Sequence, residues 1–169
     1  VRGAQANPLY SGADQVVGVA FPSDTRSVLF VGRHATTYCY GIGTDDPSLD
    51  GMDNGEGGVF CYDPTNASKG THGYPYEVRI WAYDANDLLA VKAGQKQPWD
   101  TVPYATFPLP GYDTGSAVRS ATYDPATRRL YVATPNLVVD VFEPLELDHS
   151  IEVERPFLVI DRKSTRLNS

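Results

Sequence analysis

The segment Thr122-Tyr-Asp-Pro-Ala-Thr-Arg-Arg-Leu-Tyr-Val132 repeats an earlier one, Ala20-Phe-Pro-Ser-Asp-Thr-Arg-Ser-Val-Leu-Phe-Val31, which is one residue longer. Each copy has an apolar strand, a turn with Pro and a Thr-Arg pair, and a second apolar strand. Pro fixes φ while Ser, Asp and Thr side chains offer local hydrogen bonds to the backbone, so both turns favour a hairpin. A hairpin that recurs within one chain is the mark of a modular β architecture.

The rest of the chain fits that reading. Its 15 Gly, 13 Pro and 11 Tyr come with apolar residues in short bursts between turn residues, which predicts an all-β fold. Only Ala85–Gln95 can support a helix, of one to three turns, with Leu88, Leu89 and Val91 on one side and Gly94 to stop it. Strands are predicted at Val16–Phe21, Ser27–Gly32, Glu77–Asp84 and Tyr104–Leu109 in the first copy. The second copy has Val118–Asp124, Arg129–Thr134, Leu137–Glu143 and Ile151–Arg155. The third strands also correspond, Ile80-Trp-Ala-Tyr-Asp84 against Val139-Asp-Val-Phe-Glu143. Phe21 and Tyr83 are 62 residues apart whereas Tyr123 and Phe142 are 19 apart, so the first unit carries 43 extra residues between its second and third strands. Both cysteines fall in that insertion.

Four-stranded units repeated along an all-β chain resemble the blades of a β-propeller. The turn Tyr123-Asp-Pro-Ala-Thr-Arg-Arg-Leu-Tyr-Val132 resembles the blade hairpins of many bacterial propellers, which have Gly at the position of Arg128; the arginine argues for a slightly different turn. Trp81-Ala-Tyr-Asp-Ala-Asn-Asp-Leu88 with the downstream Gln97-Pro-Trp-Asp100, and Cys39-Tyr-Gly41 with Cys61-Tyr-Asp-Pro64, are similar to stretches of uncharacterised secreted bacterial propellers. The resemblance implies about two blades of a truncated propeller. Residues 1–15 would be the end of a preceding blade or a linker, 16–110 a blade with an insertion at about 33–76, and 116–160 a second blade. A β-sandwich built from the same strands is the alternative. The last nine residues, Asp161-Arg-Lys-Ser-Thr-Arg-Leu-Asn-Ser169, read as translated sequencing adapter, and the opening at Val1 reads as a fragment of a longer, assembled gene.

Charge narrows the partners. The chain has 14 basic and 21 acidic residues; taking out the three basic and one acidic residue of the tail leaves a net charge of −9. Such a surface repels phosphate backbones, which excludes nucleic acid as a natural partner. No apolar run approaches the ~18 residues a spanning helix needs.

Few residues suggest chemistry. Cys39 and Cys61 have 21 residues between them in similar settings, Tyr-Cys-Tyr and Phe-Cys-Tyr. They are either a disulfide, which would point to an exported protein, or two buried thiols. The loop from Thr44 to Glu56 holds Asp45, Asp46, Asp50, Asp53, Asn54 and Glu56, oxygen ligands suited to calcium, but without the alternating spacing of the helix-loop-helix hands. It otherwise reads as a solvated acidic loop. His34, His72 and His149 have no Cys or His partner in sequence, and a Gly-x-Ser-x-Gly nucleophile turn is missing. Asn66-Ala-Ser68 fits a glycosylation acceptor. Trp81 and Trp99 both read as packing residues, with sugar stacking the other reading for Trp99.

The propeller resemblance implies a functional face that collects the loops between second and third strands and the connections between blades. That face would receive Arg33, His34, Tyr38, Tyr74 and Tyr76 at the base of the insertion, with Tyr112 and Asp113 from the connection Gly111–Gly115. Tyr, Asp, Arg and His suit polar ligands such as glycans, or a protein partner. Two functions follow as expectations: a binding or scaffold module of an exported bacterial propeller at the cell surface, in the periplasm or outside the cell, or a polysaccharide hydrolase or lyase using carboxylates from several blades. Asp14 and Asp113 are the acids best placed for the second.

Overall fold

The computed structural model describes residues 9–145 and 159–161, and within them the chain is mostly β. In chain order the strands are β1 (Gln15–Ala20), β2 (Ser27–Ala35), β3 (Cys39–Thr44), β4 (Phe60–Tyr62), β5 (Lys69–His72), β6 (Tyr76–Asp84), β7 (Ala105–Pro108), β8 (Ser120–Asp124), β9 (Arg129–Ala133), β10 (Val139–Leu145) and β11 (Val159–Asp161). One helix, α1 (Ala85–Lys92), follows β6 directly. Asp84 caps it by accepting from the Asn86 N–H, and the chain leaves the helix ahead of Gly94, at φ 72°.

The strands form two sheets of four, ordered β1-β2-β6-β7 and β8-β9-β10-β11, and one of three, β4-β3-β5. The two four-stranded sheets therefore share one internal order, first to fourth strand, and their first three strands are those that the sequence repeat aligns. In the second, β8, β9 and β10 pair antiparallel with Tyr123 opposite Leu130 and Phe142 opposite Leu130, and β11 pairs antiparallel with β10. The expected fourth strand at Ile151–Arg155 lies outside the described residues; the strand observed beside β10 is Val159–Asp161. Residues 162–169 are also outside them.

The insertion differs from its expected bounds. Instead of leaving the sheet at Gly32, β2 continues through Arg33 and His34 to Ala35, and β6 begins at Tyr76. The polar pair Arg33-His34 read as loop, yet His34 is 2% exposed and its ring nitrogen is held by Asp14, so strand continuation leaves that nitrogen satisfied. The excursion proper is 36–75, and it carries the three-stranded sheet. There β3 and β4 run parallel, with Gly43 opposite Cys61, while β3 and β5 run antiparallel, with Cys39 opposite His72.

By compactness the chain divides into two units. One comprises Val1–Val16, Gly32–Arg79 and Gly111–Ser116; the other comprises Val17–Val31, Ile80–Pro110 and Ala117–Ser169. The first contains a small apolar cluster of Ala13, Ala35 and Tyr76, with Tyr38 and Tyr74 packed against it. The second buries Leu29, Val31, Ile80, Trp81, Leu109, Leu130, Val132 and Phe142; Ile80 and Trp81 are neighbours in β6, so that strand is covered on both faces there. Trp81 is buried as expected, but Trp99 is not a packing residue. It is 74% exposed on a single 3-10 turn at Pro98–Asp100, none of whose residues is buried.

Both repeated hairpins turn through one residue in the left-handed region, Asp24 at φ 61° and Arg128 at φ 55°. In the second, the Asp124 carboxylate accepts from the Ala126 N–H and the Thr127 hydroxyl, which hold it below the usual carboxylate range. The Thr of the repeated Thr-Arg pair thus fastens the turn. In the first, the Thr25 hydroxyl donates to the Pro22 carbonyl and accepts from the Ser27 N–H. Arg128 consequently does not call for a different backbone from the one glycine would adopt; it adopts that backbone under strain. Arg128→Gly should raise stability by about 1 kcal/mol, measured by urea denaturation. A loss of stability would mean that the arginine side chain contributes more than the strain costs.

Candidate functional site at the base of the insertion

All seven residues expected on the functional face fall within the first unit. Three stretches meet there. The segment before β1 supplies Asp14, the ends of β2 and β6 supply Arg33 to Tyr38 and Gly73 to Tyr76, and the connection before β8 supplies Thr114. Thr114 docks by its carbonyl, which accepts from the Tyr76 N–H at 2.9 Å, and by its hydroxyl, 3.2 Å from the Tyr74 hydroxyl. Thr36 and Thr37 hydroxyls donate to the Pro75 and Tyr74 carbonyls and tie the two ends of the excursion together.

A disulfide joins Cys39 in β3 to Cys61 in β4, with Cα atoms 5.8 Å apart. Beyond it stands a buried polar network that the sequence did not single out. Asp63, 1% exposed, accepts at Oδ1 from the Thr65 N–H and hydroxyl and at Oδ2 from the Tyr76 hydroxyl at 2.7 Å. His72, also 1% exposed, places Nδ1 3.1 Å from Asp63 Oδ2 and Nε2 2.9 Å from the Ser68 carbonyl. A carbonyl can only accept, and a carboxylate that already receives three bonds does the same. The imidazole Nε2 therefore donates to the Ser68 carbonyl, and Nδ1 lies against the Asp63 carboxylate. Burial raises the Asp63 carboxyl, but the bonds from Thr65, Tyr76 and His72 outweigh it and hold the group below its ordinary range. Burial and the bond to Asp63 push the Tyr76 phenol the other way, up to about 12. Gly43 is what lets this centre close. A Cβ there would fall 1.8 Å from the Asn66 carbonyl oxygen and 2.7 Å from His72 Cε1.

A sequence signal for Asp63 did exist. Tyr62-Asp-Pro-Thr65 is a second instance of the Tyr-Asp-Pro turn, with Thr closing on Asp as at Asp124 and Thr127. What no local pattern disclosed is that this copy is buried and has a histidine across from it.

The expected residues sort into supports and exposed groups. His34 and Tyr76 are buried, at 2% and 4% exposed. The Asp14 carboxylate holds His34 Nδ1 and accepts from the Ala35 and Ser11 N–H groups. Ser11 is close by, but its hydroxyl donates to the Thr37 carbonyl, so Asp14, His34 and Ser11 do not form a nucleophilic relay. Asp113 is exposed and its N–H is held by the Ser116 hydroxyl. Tyr38, Tyr74 and Tyr112 are partly exposed. Tyr74 is the hub of the rings, edge-on to Tyr62 at 5.3 Å and to Tyr76 at 6.2 Å between centroids. Arg33 lies over the Tyr76 face, its guanidinium carbon 3.7 Å from the centroid.

The acidic loop does not converge on a cation. Asp46 accepts from the Ser48 N–H and hydroxyl, Asp53 from the Gly55 N–H, and Asp50 from the Tyr62 N–H. Asp46 and Asp53 serve their own turns and Asp50 ties the loop to β4, and among the described residues no group of three His, Cys, Asp or Glu is placed to hold a metal ion. Asn66 is exposed, its side-chain oxygen accepting from the Ser68 N–H and hydroxyl. No helix among the described residues is long and apolar enough to cross a membrane. The disulfide is compatible with an extracellular location. No protein-family model, curated protein or solved structure matches the chain.

Proposed function

We propose that the chain is part of an exported β-propeller that acts as a binding module, with a polar ligand, a glycan foremost, received at the tyrosine cluster of Tyr38, Tyr62 and Tyr74. The observation that carries the reading is the state of the acids and histidines around that cluster. Asp14 is committed to His34 and Asp63 to His72, in pairs whose hydrogen bonds run to neighbouring protein groups. His34, Asp63 and His72 are buried, so these pairs serve as supports of the surface. What remains outward is aromatic and hydroxylic, and phenol rings offer both a stacking face and a hydrogen bond to sugars.

The propeller part of the proposal has its own support. The two four-stranded sheets have the same internal order. Their first strands also approach each other: a Cβ on Gly18 of β1 would lie 2.7 Å from the Cβ of Ala121 in β8. Equivalent first strands side by side are what blades around a common axis require.

Glycan-array screening of the chain, followed by amide NMR titration with the best-bound sugar, tests the reading. Expected are shifts at Tyr38, Tyr62, Tyr74 and Thr114 with no release of new sugar ends on prolonged incubation. Accumulation of reducing ends would replace binding with polysaccharide cleavage. Shifts centred on the exposed Trp99 would move the site elsewhere.

A further inference from the structure

Asn66 is the one asparagine of the sequence with Ser or Thr two places on, and Ala67, a residue other than Pro, stands between. That spacing is the one needed for transfer of a glycan to an asparagine amide. The pattern is short, so its weight depends on where the fold puts these residues and which of their atoms it uses.

Asn66, Ala67 and Ser68 are all exposed, within an exposed run, 64–69, between β4 and the start of β5. Their backbone is held from beneath. The Asn66 N–H donates to the Asp63 carbonyl, and the Ser68 carbonyl accepts from the Gly43 N–H and from His72 Nε2. The segment thus rests on the buried Asp63–His72 pair and keeps its own side chains in solvent.

The Asn66 amide is engaged on one side only. Its Oδ1 accepts from the Ser68 N–H at 3.0 Å and from the Ser68 hydroxyl at 2.6 Å. A backbone N–H can only donate, so the oxygen is the atom turned inward and Nδ2 is turned away. Among the described residues no group accepts a hydrogen bond from Nδ2. Asn54 shows the opposite arrangement: its Nδ2 is buried, and Gly55-Glu56 supplies no hydroxyl two places on.

We infer that Asn66 is an N-glycan acceptor, its Nδ2 taking an oligosaccharide from a lipid-linked pyrophosphate donor. Nδ2 bonds to C1 of the first sugar as the C1–O bond to the pyrophosphate breaks. The lipid pyrophosphate leaves, and one Nδ2 hydrogen departs as a proton. The product is a secondary amide whose oxygen still accepts both bonds from Ser68. Transfer meets the segment during export, so the fold has to supply room and a nitrogen it does not need. Residues 66–68 supply both. The inference shares with the binding reading only the premise of export, with which the disulfide is compatible, and it requires an export route that carries such a donor.

The test translates the 169-residue chain, behind a cleavable leader, in the presence of endoplasmic-reticulum microsomes. Expected is a single step to lower gel mobility on most protease-protected chains. Peptide-N-glycosidase should remove the step and leave aspartate at position 66, which mass spectrometry locates. Asn66→Gln, Ser68→Ala and Ala67→Pro should each abolish the step, whereas Ser68→Thr should keep it. Transfer is read as the chain enters the vesicle, so a variant that folds poorly still reports. Protected wild-type chains without the step overturn the inference and leave the binding reading untouched. A step that persists in Asn66→Gln places the modification elsewhere and overturns it as well. Urea denaturation then compares the glycosylated with the unmodified chain, and the midpoint should be unchanged or raised. A lowered midpoint would show that the fold does use the Nδ2 side of Asn66, against the inference.

Discussion

Asp63→Ala should cost the first unit about 3–5 kcal/mol of stability, the largest effect expected from any single polar substitution here. The substitution leaves the buried His72 Nδ1 facing no carboxylate, and it strands the Tyr76 hydroxyl and two Thr65 donors as well. Asp63→Asn should be nearly as harmful although it keeps the shape. The Thr65 N–H and the Thr65 and Tyr76 hydroxyls all donate to Asp63, so an amide must turn its NH2 toward one of these donors or toward His72. Urea denaturation with tyrosine fluorescence measures the loss, and a cost below about 1 kcal/mol for the alanine variant would show that the pair is not a structural centre. The same network sets an acid limit. The folded-state pKa of Asp63 lies below its unfolded value of 3.8. Its contribution is therefore fully present above that value and is lost as pH falls through the folded one. The wild-type chain should lose stability in that acid range, and Asp63→Asn should flatten this part of the profile.

The fold was legible where the chemistry is local. The Thr-Arg turn, the cap at Asp84 and the alternation in β6 each announce themselves within a few residues, because a hydrogen-bonding side chain or a period of two suffices. The site was legible only in part. From sequence Arg33, His34 and Tyr76 read as loop residues near a ligand, yet all three lie in strands, and two are buried. Their polarity suggested solvent; their partners, Asp14 and Asp63, lie 20 and 13 positions away, and nothing in spacing assigns them. Trp99 failed in the opposite sense, being apolar in type and exposed in place. Burial is a property of the assembled unit, and only the assembled unit reveals which polar residue is a support and which is a surface.

Removing the disulfide should be the second large perturbation, and it should act on the insertion alone. The bond closes the segment from Cys39 to Cys61, within which residues 45–58 contain no buried side chain. A segment without a core is held by its turns, by the ladder of β3 and β4, and by backbone bonds such as Gly51 N–H to the Phe60 carbonyl and Phe60 N–H to the Met52 carbonyl. Opening a loop of this length costs about 3 kcal/mol in the chain-entropy treatment. Hydrogen exchange on the Cys39→Ala, Cys61→Ala double variant should show faster exchange at Gly51, Phe60 and Ile42, with the amides of β8, β9 and β10 unchanged. Unchanged exchange at Phe60 would mean that strand pairing suffices and the disulfide is dispensable. Combining the double variant with Asp63→Ala separates the two devices further. Cys61 and Asp63 are two residues apart and hold the same strand end, so once one is gone the other has less ordered structure to protect. Their costs should therefore sum to less than the separate values, by about 1 kcal/mol or more. Strict additivity would place the buried pair and the disulfide in independently folding parts of the insertion, and the tyrosine cluster would then depend on Asp63 alone.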